Sequence, residues 1–588
     1  MDKIKEMMLF NQSFEYIDDG VEHGILSKFN PGTVELKKGY QVDERFMPLP
    51  CDVIFEKDVP VKLRDGVTIY TDVFRPSGEE KVPVIISWSP YGKAAGTAPR
   101  YTSLFGMIGI PDSELSGLHK FEGSDPAYWC SHGYAVCNPD PRGIAHSEGD
   151  IYMIGTQEAR DCYDLIEWLA EQEWCNGKVA TSGTSYLAFS QWFIAAEQPP
   201  HLAAINPEEG LGDAYRDLIR RGGILDVNFA SRLQVNHVHA GEPVRREDLQ
   251  DEGLRYPFAN CELWEDKIAN FEKITCPAYV VASYSNTLHT PGTFRAWRNM
   301  PKENKWLRIH DNQEWPDFYK EEQQEDRLKF FDHFLKGIDN GWEKTPVVRY
   351  ALHDFEGGHY EGIEAETFPP EGTEYKKMYL NGVTRTLSET LAQTDVPAIY
   401  DSEASLAQAS FLYRADEKTE FVGYPKAKLY VEVDGSDDMD ILVYLYKLDK
   451  FGNHLQQFVV PNTTARMHDL TDHGGSVLKY KGSNGRLRVS MRHLDEEKST
   501  NEVPAYTFDR EEKLHKGEIV EIEIEMFPIG MLLYPGEQLR FIVSAKDEVG
   551  GIMPGTPAAP PVNHGKHIIH CGGQYDSYLQ LPFRVSFK

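Results

Sequence analysis

The chain has 588 residues, 41% of them apolar and 26% charged, with a formal net charge of −31, so it is too long for one hydrophobic core and two or more domains are expected. That acidic balance argues against nucleic-acid or anionic-membrane partners, no stretch approaches the ~20 apolar residues of a membrane span, and residues 1–20 lack the apolar core of a secretion signal. Eight cysteines without C-x-x-C spacing point to a reduced, cytoplasmic protein with no disulfide scaffold.

Residues 1–50 carry few periodic signals and read as an extension packed on a larger body. Short alternating strands begin at "CDVIFEKDVPVKLRDGVTIYTDVFRP", with a turn at Asp65 and Gly66. Then "VPVIISW", "YAVCNPD", "KVATS", "LAAINP", "PAYVVASYS" and "KWLRIH" form short apolar runs, each closed by a turn. Helical stretches such as "QEARDCYDLIEWLAEQ" separate them. That alternation predicts an α/β domain with a mostly parallel sheet covered on both faces, in two parts, 51–206 and 274–346. Ligands of such sheets bind at the carboxyl ends of the strands. Between them, residues 207–273 lose the strand rhythm: "DAYRDLIRRGGILDVNFASRLQVNHVHA" and "NCELWEDKIANFEKI" look helical, as a cap over the sheet edge would. Residues 347–588 are strand-rich with Gly, Asp and Asn turns, the pattern of a β-sandwich or jelly roll. Its acidic run "DGSDDMD" lacks calcium-loop spacing and reads as a solvated turn.

The chemistry centres on "KVATSGTSYLAFSQWFIAA". A nucleophile elbow holds a serine on a strained strand-to-helix turn between small neighbours. Gly183 stands two residues before Ser185, and Ala188 is small. Leu187 occupies the place of the second glycine in the Gly-x-Ser-x-Gly pattern. The competing reading is a serine that only caps a helix. Position favours the elbow, after a core strand and before the apolar helix Tyr186 to Ala196.

The stretches "RDGVTIYTDVFRP", "SPYGK", "HGYAVCNPDPRGIAHSEG", "EWCNGKVATSGTSYLAFSQW", "QPPHLAAINPEEG", "FFDHFLKGIDNGWE" and "LYPGEQLRFIVSAKD" follow one another in this order. In them the chain resembles the cocaine-esterase and X-prolyl dipeptidyl-peptidase (CocE/NonD) family of serine hydrolases, from about residue 52 onward. The resemblance implies an α/β-hydrolase core with a helical cap insertion and a C-terminal β jelly-roll domain. It implies Ser185 as nucleophile, with the Tyr91 hydroxyl and the Tyr186 backbone N–H as oxyanion donors. Donors aimed at developing charge are typically worth about 3 kcal/mol each.

The family's acid and base do not carry over. Its aspartate, in a Gly-Trp-x-Asp type of motif, falls here on Asn286, and its histidine, in a Gly-Pro-Trp-x-His type of motif, falls on Glu314. Several readings remain open. His310, at the end of "KWLRIH", could serve as base with Asn286, Asp311 or Glu314 orienting it; an asparagine can hold a neutral imidazole but cannot compensate its charge. His289, three residues beyond Asn286, is an alternative base. Glu314 under an apolar cap could itself move a proton. The competing reading for each histidine is a structural role, which is favoured for His289 and evenly matched for His310. Glu208 or Glu209, after a core strand, could face the pocket. No metal or cofactor motif is visible.

The leading expectation is a serine hydrolase cleaving an ester or amide of a small-molecule substrate through an acyl-enzyme on Ser185, esterase or amidase rather than dipeptidyl-peptidase. A second is a non-hydrolytic enzyme on the same fold, catalysing acyl transfer, cyclisation, isomerisation or C–C cleavage with Glu314 or His310. A third is a catalytically silent binding protein. The jelly roll also offers surface for a homodimer.

Overall fold

The computed structural model describes residues 2–12, 28–226, 229, 244–356, 358–458, 479–480, 482–548 and 562–584. Eleven strands make the larger sheet: β1 (Gly32–Leu36), β2 (Val53–Lys62), β3 (Thr68–Pro76), β4 (Val82–Ile86), β5 (Ala135–Asp140), β6 (Cys175–Thr184), β7 (Leu202–Glu208), β8 (Ala278–Ser283), β9 (Lys305–His310), β10 (Val348–Leu352) and β11 (Tyr360–Ala365). Their spatial order is β1-β2-β3-β5-β4-β6-β7-β8-β9-β10-β11. The stretch from β5 to β10 is parallel throughout, and antiparallel strands close both edges. Every residue of β4, β5 and β8 is buried. Strands covered on both faces read as continuous apolar runs, and these do.

The helices that position the site follow the same logic. In α1 (Thr156–Ala170) the buried residues Ala159, Cys162, Leu165, Ile166 and Leu169 recur at helical spacing and face the sheet. Helix α2 (Tyr186–Ala196) is buried along nearly its whole surface, as its largely apolar sequence requires, and its buried Ser190 and Gln191 bond to nearby carbonyls. The other two are α3 (Thr290–Asn299) and α4 (Glu314–Tyr319). On the sheet face away from the nucleophile, Phe330, Phe334 and Trp342 of the "FFDHFLKGIDNGWE" run pack with Tyr279 and Trp306.

Two boundaries differ from the sequence expectation. Residues 32–36 of the supposed N-terminal extension form edge strand β1, because they pair antiparallel with β2. The α/β sheet runs past 346 to Ala365, since β10 pairs with β9 and β11 with β10. Among the described residues the cap contains a π-helical turn at Ala214–Ile219 and short α-helices at Leu249–Arg255 and Glu262–Asp266. Gly222 and Gly223, both at positive φ, shape the tight turn Arg221–Gly223 that follows the first of these. Of the expected cap helix, residues 227–228 and 230–243 lie outside the described residues. Buried Lys267 ties the cap down through Glu247 and the Met153 and Ile154 carbonyls, and strand Phe10–Gln12 pairs with Arg245–Glu247.

The C-terminal part is a β domain with two main sheets of nine and four strands among the described residues, plus a two-stranded ribbon of Gln457–Phe458 and Lys479–Tyr480. Its acidic run is solvated only in its first half: residues 434, 435 and 437 are exposed, whereas Asp438 and Asp440 are buried, paired with Lys513 and Arg488. The β domain meets the α/β domain along strand Ile529–Leu533. His353 N–H donates to the Gly530 carbonyl (2.8 Å) and Leu532 N–H to the His353 carbonyl (3.1 Å). A Cβ at Gly530 would stand 2.5 Å from the Tyr284 ring, just past β8. Gly530→Val is therefore expected to lower stability by about 1–3 kcal/mol through overpacking, read as a lower denaturant midpoint at unchanged slope.

Candidate active site

Ser185 follows β6 directly and caps α2 with φ +59° and ψ −123°, a conformation that a non-glycine residue rarely adopts. Gly183 makes the turn possible. Its φ is +150°, and a Cβ there would lie 2.5 Å from Leu187. The close approach that the second glycine of the pattern would serve falls one residue later. Gly210, after β7, passes over Ala188, where a Cβ would come within 2.9 Å of the alanine methyl. That is why Leu187 is tolerated. The Ser185 N–H is shared between the carbonyls of Glu208 and Glu209 (3.2 and 3.1 Å), which fixes the elbow onto the end of β7.

Tyr91 lies beneath, with its hydroxyl in hydrogen-bonding reach of Ser185 and its pKa pushed far up by burial, helped by Glu122 and Tyr101. Its loop is held by Lys93 of "SPYGK". The Lys93 ammonium is buried between Asp58 and Asp72 (2.7 Å to Asp72), and the Lys93 backbone N–H donates to Asp140 (2.7 Å). The Tyr186 phenol points away from the serine and donates to Glu158 (2.7 Å). That leaves its first-turn N–H, which has no acceptor within the helix, on the nucleophile's side.

Of the candidate bases, the one beside the serine is His289. Its Nε2 is 3.3 Å from Ser185 Oγ, and its Nδ1 is 2.7 Å from Glu314 Oε2. The Asn286 side-chain carbonyl accepts from the N–H groups of Leu288 and His289 (3.0 and 3.1 Å), an Asx-type turn that folds the loop back. The Asn286 amide donates to Glu314 and lies 2.9 Å from His289 Nδ1. With Glu314 accepting from both, the ring proton belongs on Nδ1, leaving Nε2 free to accept from the serine. The ring is seated edge-on against Phe189 at 5.5 Å. Glu314 opens α4, and burial raises its pKa although His289 opposes that.

His310 is placed elsewhere. It ends β9 with Nε2 2.8 Å from Glu209 and Nδ1 3.8 Å from Asp317, so its ring is engaged below the triad rather than at the serine. Asp311 turns toward the β domain, accepting from Gln457 (3.2 Å). Glu208 pairs with Arg327 (3.3 Å), whereas Glu209 adopts φ +50° at the site itself. Glu209, His289 and Glu314 each offer a ligand atom within 4.8 Å of the others, a donor set that could hold a metal. In this cluster Glu314 faces His289 Nδ1 and Glu209 faces His310 Nε2. Spacing alone does not reveal Glu122, which adjoins the serine, or Asp317.

The strand order, and an elbow at the carboxyl end of its central parallel strand, define an α/β-hydrolase. Two family models match: that of the X-Pro dipeptidyl-peptidase S15 family over residues 65–259, and that of the X-Pro dipeptidyl-peptidase C-terminal non-catalytic domain over residues 340–580. A CocE/NonD family hydrolase from Staphylococcus aureus superposes with a TM-score of 0.85 at 34% identity, covering 95% of this chain and 97% of that one. The cocaine esterase of Rhodococcus sp. is 33% identical over 199 residues, which span 33% of this chain and 31% of that esterase. An aminopeptidase from a Thaumarchaeota archaeon shares the fold at 16% identity, with a TM-score of 0.64 over 95% of this chain and 99% of that one. The chain belongs to the CocE/NonD hydrolases of the S15 family, which joins esterases and peptidases. Among the described residues no helix is long and apolar enough to cross a membrane.

The His310 pair has a measurable signature. Burial works against the imidazolium, but Asp317 and Glu209 outweigh it and carry its pKa from 6.5 up to about 9. A raised folded-state pKa stabilises fully below the unfolded value and is lost as pH climbs through the folded one. Stability on the order of 3 kcal/mol is thus expected to fade between about pH 6.5 and pH 9. Denaturant titrations across that window should show this slope, and His310→Gln should flatten it.

Proposed function

We propose that this protein is a serine hydrolase that cleaves an ester or amide of a small molecule, with Ser185 as nucleophile, His289 as general base and Glu314 as the acid that orients it. The observation that carries the reading is the unbroken line from Ser185 Oγ through both His289 nitrogens to Glu314. His289 takes the serine proton as Oγ attacks the carbonyl and returns it to the leaving group. Glu314 stabilises the imidazolium formed in between, while the Tyr91 hydroxyl and the Tyr186 N–H receive the oxyanion. Water then repeats the sequence on the acyl-enzyme.

In this reading the base and acid have exchanged loops relative to the family pattern. The histidine comes from the segment after β8, where the family's aspartate stands, and the acid from the segment after β9, where its histidine stands. Asn286 keeps the aspartate's place but serves as the hinge of the His289 turn. Esterase or amidase action is favoured over dipeptidyl-peptidase action. All eight cysteines are unpaired, which supports a reducing, cytoplasmic setting.

A fluorophosphonate probe should label Ser185. Ser185→Ala and His289→Ala should each lower turnover of p-nitrophenyl butyrate by a factor on the order of 10⁴ or more, and Glu314→Gln by about 10²–10⁴. His310→Gln should still be labelled. Turnover surviving in Ser185→Ala would favour the non-hydrolytic reading, and an unlabelled, inactive but folded protein a binding role.

A further inference from the structure

The triad leaves one carboxyl beside the nucleophile without a role. Glu122 is 2% exposed and sits at φ +64°, in the left-handed region that a glutamate enters only under constraint. Its backbone lies directly on the elbow: the Thr184 N–H donates to the Glu122 carbonyl (3.3 Å), and a Cβ at Gly183 would stand 3.0 Å from that same oxygen. Glu122 Oε1 accepts from the Trp315 indole N–H (2.8 Å), whereas Oε2 has no hydrogen-bond partner among the described residues. Ser185 and Tyr91 are both near enough to feel this carboxyl.

The surroundings decide its protonation. Tyr91 faces it from the loop after β4, Ser185 from the elbow, and Glu314, Trp315 and Tyr319 from α4. The neighbouring Phe121 ring stacks on Tyr101 at 3.8 Å and meets Tyr91 and Trp315 at 5.5 and 6.0 Å. Burial first and the Glu314 charge second hold the Glu122 pKa well above the carboxylate range. With Oε1 committed as an acceptor, the proton resides on Oε2, where it has nothing to bond to. An unsatisfied buried donor costs about 1–3 kcal/mol, and here an acceptor arrives only with substrate.

We propose that Glu122 is a third oxyanion donor, its neutral Oε2–H donating, beside the Tyr91 hydroxyl and the Tyr186 N–H, to the substrate carbonyl oxygen as Ser185 attacks. The proton stays on Glu122 throughout. This rests on Ser185 being the nucleophile. An ionised Glu122 would set like charge against the oxyanion, so catalysis must fail as pH rises through its pKa.

The test follows kcat and KM for p-nitrophenyl butyrate, and the rate of fluorophosphonate labelling, from neutral to alkaline pH in wild type, Glu122→Gln and Glu122→Leu. Glu122→Gln, a neutral donor at every pH, should keep kcat within about tenfold and lose the alkaline limb, whereas Glu122→Leu should lose about 10²-fold in kcat with KM little changed. Wild-type rates in both variants would overturn the proposal, as would a Gln variant as inactive as Leu, or one that keeps the alkaline limb. Should the Leu variant fail to fold, the Gln pH profile decides alone. A wild-type protein that the probe does not label would overturn the nucleophile and this proposal together; normal labelling with unaffected variants overturns this proposal only.

Discussion

Compensation of buried negative charge is the constraint on which the catalytic end of this molecule depends. Glu122, Glu208, Glu209, Glu314 and Asp317 are all buried close to the carboxyl ends of β6 to β9. An isolated carboxylate in such a medium would neutralise itself. Each instead has its own arrangement. Asp317 is held down at about 2 chiefly by Arg308 against the pull of burial, Glu208 has Arg327, Glu209 has His310 and Glu314 has His289. Glu122 alone has only hydrogen-bond donors. The chain thus keeps one carboxyl neutral and four compensated within a few ångströms, and their different environments separate their chemistry.

That arrangement explains why the two histidines are not interchangeable. His310 sits between Glu209 and Asp317 and is held charged, which unsuits it to accept a proton at neutral pH. His289 has one acid on Nδ1 and a hydroxyl on Nε2, the pairing that a general base needs. Removing His310 would leave Glu209 uncompensated beside Glu314. The lower histidine therefore supports the upper one through charge without touching the serine.

The fold was legible from alternation alone: apolar runs separated by amphipathic helices translate into β4 to β9, and Tyr186 to Ala196 is the helix expected. The elbow was legible too, because Gly183, Ser185 and Ala188 carry steric requirements that show in one dimension. The base was not. Asn286 and Glu314 stand where the family's acid and base are expected, but the turn that brings His289 back to the serine depends on the Asn286 side chain accepting two backbone N–H groups, which spacing does not display. His310 and His289 differ in sequence by nothing that predicts which ring reaches Ser185. The β1 edge and the run past residue 346 were missed for a related reason, since strand pairing is decided by partners far away in the chain.

The seam at Gly530 gives the β domain a share in the active site. Tyr284, whose ring rests on that glycine, stands two residues before Asn286, the pivot of the His289 turn. Strand Ile529–Leu533 is thus a floor for the segment that delivers the imidazole. The two halves of this chain cannot be shuffled as independent modules: a β domain grafted from a relative would bring its own floor, and the imidazole would move with it.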